Sequence, residues 1–120
     1  MIIINNPLGT IFKKQDMKCL ENISQKYNTL ILSDEVYEHL VYDKNEYISI
    51  CKYPKLFNNA IATFSFGKIF HITGWKLGYV LAPINLMIEI RKVHQFNIFS
   101  SNTISNCRLS PNSRSLLKSK

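Results

Sequence analysis

The stretch Ala62-Thr63-Phe64-Ser65-Phe66-Gly67-Lys68-Ile69-Phe70-His71-Ile72-Thr73-Gly74-Trp75-Lys76-Leu77-Gly78-Tyr79 decides the fold. A run of apolar and β-branched residues leads into Ser65, a glycine frees the backbone at position 67, and a lysine follows at once. Lys68 therefore falls where a buried strand empties into a turn. Burial penalises an ammonium and favours the neutral, nucleophilic amine, so this lysine is expected to be able to form a Schiff base. The plainer reading is that Lys68 snorkels from a core edge while Lys76 decorates a loop. Beyond the lysines, Tyr79-Val80-Leu81-Ala82-Pro83 reads as a strand closed by proline. The loop before it is too short for a helical crossover, so this strand is expected to run antiparallel to the one preceding Lys68.

Upstream, Ile2-Ile3-Ile4-Asn5 forms a β-branched run that ends in the turn-formers Asn6-Pro7-Leu8-Gly9. Met17, Leu20, Ile23 and Tyr27 then recur at helical spacing among charged residues, which predicts an amphipathic helix with that stripe in the core. Thr29-Leu30-Ile31-Leu32 reads as a fully buried strand. Strand, helix and strand in succession imply a right-handed parallel crossover. The second of these strands empties into Ser33-Asp34-Glu35-Val36-Tyr37, where an Asp ordinarily caps a following helix. Residues 38–60 are less regular and read as a helical turn, a loop and a short helix. Leu86, Ile90 and Val93 mark a long helix from about residue 84 to 98.

Ser65-Phe66-Gly67-Lys68 with Thr73-Gly74-Trp75-Lys76-Leu77-Gly78 resembles the cofactor-lysine segment of pyridoxal-phosphate-dependent aminotransferases of classes I and II. The Gly-Trp-Lys form is most similar to the kynurenine, glutamine and methionine aminotransferase branch. Asn6-Pro7-Leu8-Gly9 and Ser33-Asp34-Glu35-Val36-Tyr37 resemble two further motifs of the same family, in the same order. The resemblance covers roughly residues 2–104. It implies an α/β fold, part of the fold type I large domain: a partial three-layer sandwich around a mostly parallel sheet with one antiparallel strand. It also implies pyridoxal 5'-phosphate as cofactor, with Lys68 as Schiff-base lysine and general acid/base. Ser65 and Lys76 would hold the phosphate, Asp34 the ring nitrogen, and Asn6 and Tyr37 the ring oxygen. An amino acid and a 2-oxo acid would be the substrates, and a homodimer the assembly. A pyridoxal-phosphate lyase shares the same constellation, and a truncated relic or scaffold without turnover is the remaining alternative. The family's upstream phosphate loop, stacking aromatic and substrate-clamping arginine have no counterpart, and the chain opens directly on a strand, so a fragment carrying part of a site is expected.

Composition sets the remaining bounds. A chain of 120 residues with 46% hydrophobic content can bury one modest core. The net charge of +7 would raise a nucleic-acid partner. However, Arg108, Arg114, Lys118 and Lys120 lie in a terminal stretch without an acid, and the body without them is nearly balanced, so no nucleic-acid partner is expected. Cys19, Cys51 and Cys107 are widely separated and read as reduced thiols in a cytoplasmic setting. No apolar run reaches bilayer length, and His39, His71 and His94 stand isolated, so neither a membrane partner nor a metal site is expected. Residues 105–120 are polar, basic and aperiodic, which sets them apart from the domain at 1–104. Trypsin is predicted to cut at Arg108 and Arg114 well before Arg91; equal protection of all three would contradict this division.

Overall fold

The computed structural model describes residues 8–102. The run at 2–5, Asn6 and the 105–120 segment lie outside the described residues. The elements are α1 (Lys14–Tyr27), β1 (Ile31–Asp34), a 3-10 turn (Ile50–Lys52), α2 (Pro54–Phe57), β2 (Ala60–Ser65), α3 (Phe66–Ile69), a second 3-10 turn (Thr73–Trp75), β3 (Gly78–Leu81) and α4 (Ile84–Asn97). The three strands form one sheet in the order β1-β2-β3. β1 runs parallel to β2, with Ile31 opposite Ala60 and Asp34 opposite Thr63. β3 runs antiparallel to β2, with Ser65 opposite Gly78 and Phe64 opposite Tyr79. The expected mixed sheet, and the antiparallel strand after Lys68, are thus present.

Strand alternation explains the layers. Ile31 and Ser33 of β1, with Ala60, Ala62 and Phe64 of β2, turn to one face and are buried there with Met17, Ile48, Ile50 and Leu56. Helices α1 and α2 cover this face, and Lys55 of α2 reaches Glu21 of α1 at 3.4 Å. Ile61 and Thr63 point the other way, toward Leu86, Met87 and Ile90 of α4. Helix, sheet and helix make the three layers.

Two expectations need correction. In α1, Met17 is buried and Leu20 packs against the core, but Ile23 and Tyr27 are 44% and 64% exposed. The helix instead turns Ser24 inward, where its hydroxyl donates to the Thr29 carbonyl at 3.1 Å, and Asn28 ends the helix in the left-handed region at φ 50°. The helix is short and its cap is polar, so the apolar stripe is used only at its N-terminal half. Likewise β1 is not buried on both faces, because Leu30 and Leu32 are 49% and 57% exposed. They fall on the α4 side of the sheet, where α4 buries none of its own residues. The 84–98 helix itself matches expectation closely, while residues 38–60 hold two short helical pieces and a loop, as read.

Position 78 admits no side chain. A Cβ there would lie 2.4 Å from the Phe64 carbonyl oxygen, and that oxygen belongs to backbone that cannot step aside without breaking the ladder. Gly78→Ala is predicted to cost at least about 2 kcal/mol and to lower the thermal midpoint, whereas Gly74→Ala, with nothing near its Cβ, is predicted to leave it close to wild type. At the exposed turn around residues 42–45, Asp43 and Lys44 both adopt positive φ, 56° and 60°, as a tight mirror-image turn requires. The Asn45 amide closes it on the Tyr42 carbonyl at 3.1 Å. Lys44→Gly is predicted to stabilise the chain by about 0.5 to 1 kcal/mol, since glycine removes the left-handed penalty at a modest entropic cost; an unchanged or lowered melting midpoint would refute this.

Candidate functional site

β2 ends at Ser65, and α3 begins at once. Its single turn carries Lys68, and the Phe66 amide donates to the Leu77 carbonyl at 3.2 Å, so the returning loop is tied to the strand end. Gly67 is the buried residue of that turn. A Cβ on it would sit 3.1 Å from the Thr73 Cα and 3.4 Å from the Ser65 hydroxyl oxygen, so its absence lets the 71–77 loop lie close over α3. That loop is bounded by two non-glycine residues in the left-handed region, His71 at φ 55° and Lys76 at φ 52°. Such conformations are costly for residues with a Cβ and turn the chain sharply. The result is a cup of about 500 Å³ lined by Ser65, Lys68, Thr73, Lys76 and Gly78 among others.

Three of the residues singled out in the sequence therefore share one cavity. The Ser65 hydroxyl makes no cap hydrogen bond to α3. Neither Lys68 nor Lys76 forms an ion pair within the described residues. Lys68 Nζ lies 5.6 Å from the centroid of the Tyr37 ring, which brings a fourth residue to the same place. The expectation that Lys68 is buried is not met. Its side chain is exposed, because Gly67 occupies the inward position of α3 and Lys68 follows it outward.

Asp34 is the last residue of β1, half-buried, and does not line the cup. Its Oδ1 accepts from the Val36 amide at 3.3 Å. It thus caps a tight turn over residues 36–39 rather than a helix. Tyr37 sits in that turn, whose chain is closed by the Glu38 amide on the Glu35 carbonyl at 3.1 Å and the Leu40 amide on the Tyr37 carbonyl at 2.9 Å. Asn6 lies outside the described residues.

Sequence reasoning passed over Glu35. It is 1% exposed, and its carboxylate accepts from the Ser33 hydroxyl at 2.9 Å, from the Ile50 amide at 3.0 Å and from the Tyr47 hydroxyl. Burial, together with the Glu35 carboxylate beside it, pushes the Tyr47 phenol far above its usual range, so Tyr47 is the donor of that bond. The signal was present in the alternation Ile31, Ser33, Glu35, which places the acid on the core face. A second residue passed over is Tyr79. Its ring stacks on Phe64 at 4.6 Å and tilts against Phe66 at 5.2 Å. Its hydroxyl reaches Glu38 Oε1 at 3.4 Å, and burial followed by the Glu38 charge raises its pKa. Among the described residues no group of three or more His, Cys, Asp or Glu is placed to hold a metal, and no helix is long and apolar enough to cross a membrane.

Comparison with known proteins places this arrangement. The family model described as aminotransferase class I and II matches residues 3–108. The chain is 41% identical over 106 residues to a methionine aminotransferase of Escherichia coli K12, covering 86% of this chain and 28% of the relative. It is 38% identical over 101 residues to human kynurenine–oxoglutarate transaminase 1, covering 84% of this chain and 24% of the relative. Its fold superposes with a TM-score of 0.83 on a solved Escherichia coli protein for which a methionine aminotransferase function was identified, at 35% identity, covering 96% of this chain and 32% of that one. The chain thus spans 24% to 32% of the length of these proteins. With the family match, the sequence identities and the fold superposition in agreement, the chain belongs to the class I and II aminotransferases.

Proposed function

We propose that this chain supplies the cofactor-lysine part of a pyridoxal 5'-phosphate-dependent aminotransferase, acting between an amino acid and a 2-oxo acid in a homodimer. The observation that carries the proposal is the cup in which Ser65, Lys68 and Lys76 meet, with the Tyr37 ring beside the Lys68 amine. The donor set fits the group. A primary amine can take an aldehyde, while a hydroxyl and a second ammonium are hydrogen-bond donors suited to a phosphate dianion. When bound, the cofactor supplies a ring able to accept the electron pair released at the substrate's α-carbon.

The remaining work falls to side chains. Lys68 would carry the cofactor and then, released by the incoming amino group, take the proton from the substrate's α-carbon as general base and deliver it as general acid to the carbon that had been the cofactor's aldehyde. Its exposed, flexible stem suits a group that changes position during turnover. Lys76 and Ser65 would grip the phosphate and set the depth of binding. The Asp34 carboxylate would hold a proton on the ring nitrogen, and the Tyr37 hydroxyl, with Asn6, would donate to the ring oxygen.

The test is direct. The chain is incubated with pyridoxal 5'-phosphate, reduced with borohydride and mapped by mass spectrometry. Label is expected on Lys68 and is lost in Lys68→Ala, while Lys76→Ala weakens retention about tenfold or more through loss of a charge-assisted bond. Label on Lys76 or the C-terminal lysines, with none on Lys68, would overturn the assignment.

A further inference from the structure

The most enclosed acid among the described residues belongs to none of the roles above. Glu35 stands between Asp34 and the turn that holds Tyr37, and three donors converge on its carboxylate from two separate segments. Ser33 comes from its own strand. Tyr47 and Ile50 come from a segment twelve to fifteen residues on, whose Ile48, Ser49 and Ile50 are all buried. A buried carboxylate without partners would be strongly destabilising, and here every partner is a donor. The arrangement fixes the carboxyl end of β1 to the core from below.

That anchoring has a geometric consequence on the other face. Because strand side chains alternate, Ser33 and Glu35 held to the core force Asp34 to the opposite face, beside Thr63. The Glu35 backbone contributes as well. Its amide donates to the Thr63 carbonyl at 2.9 Å, extending the ladder one residue past β1, and its carbonyl accepts from Glu38 to open the turn carrying Tyr37. A single residue therefore sets where both Asp34 and Tyr37 start.

We propose that Glu35 is a positioning residue of the site, its buried carboxylate holding Asp34 and Tyr37 in register through Ser33, Tyr47 and the Ile50 amide. The role rests on the functional reading given above, since positioning has meaning only if Asp34 and Tyr37 contact the cofactor. Glu35 itself does not line the cup.

The experiment uses the full chain as wild type, Glu35→Gln and Tyr47→Phe. Glutamine keeps the volume and one acceptor oxygen for Ile50 but sets an amide N–H₂ where an acceptor stood. Tyr47→Phe removes one donor from the other side. Two readouts are taken. Amide hydrogen exchange without cofactor is expected to accelerate about tenfold at Val36, Glu38 and Leu40 in both variants, with the amides between β2 and β3 unchanged. With pyridoxal 5'-phosphate added, the pH midpoint of the bound cofactor's absorbance is expected to move by about one unit, a tenfold change in proton affinity. Exchange unchanged at the turn, or accelerated equally throughout the sheet, makes Glu35 an ordinary core residue and overturns the proposal. An unmoved midpoint in a variant whose turn has loosened overturns it too. Should the wild type hold no cofactor on Lys68, the aminotransferase reading fails first, and the exchange pattern alone then decides whether Glu35 governs the turn.

Discussion

A carboxylate at 1% exposure must find donors, and the core side of this sheet is arranged around meeting that demand. Satisfying Glu35 requires that the chain leave β1, make its tight turn, travel outward through residues 40–46 and come back with Tyr47 and Ile50 at the right height. The excursion looks irregular, yet both of its ends are specified. Its return leg delivers Ile48 and Ile50 to the same cluster as Met17, Leu56, Ala60 and Phe64. Polar satisfaction and apolar burial are thus achieved by one path of the chain. The loop between β1 and β2 replaces the long crossover helix that usually joins parallel neighbours.

How legible this was depended on the kind of interaction responsible. Periodicity located α1, β2, β3 and α4 within a few residues, because each owes its existence to a local pattern of apolar side chains. The antiparallel sense of β3 followed from loop length alone. The convergence of Ser65, Lys68 and Lys76 was readable because all three lie in one continuous stretch. What sequence could not supply was set by distant partners. Glu35 is meaningful only when Tyr47 and Ile50 arrive, and Tyr79 only when Glu38 is opposite. The exposure of Lys68 was misjudged for a related reason: a strand-like lead-in suggested burial, but one turn of helix intervened and gave the inward place to Gly67. Ile23 and Tyr27 stand exposed although they fall on the stripe, because a helix pattern identifies a stripe without saying how much of it a short sheet can cover.

On the core face of the sheet, Phe64, Phe66 and Tyr79 form one aromatic group. Phe64 belongs to the core, Phe66 to the turn that presents Lys68, and the Tyr79 hydroxyl reaches the turn that presents Tyr37. Packing and polar contacts therefore connect the Lys68 side of the cup to the Tyr37 side without any residue of the cup taking part. Stacked rings fix distance and tilt more narrowly than aliphatic contacts do, so the relative placement of the two turns is set by a stiff spacer.

The sheet's mixed topology carries a consequence for how it assembles. β2 has both of the other strands as neighbours, but the chain segment it must close to reach β3 is much shorter than the one leading back to β1. Loop-closure entropy grows with the length enclosed, and parallel pairing across a long excursion is intrinsically slow. By this measure the β2–β3 pair, with its stacked Phe64 and Tyr79, is the less costly of the two pairings to close, and the β1–β2 pair the more costly. The cup thus depends on the shorter closure, and the Glu35 network on the longer one.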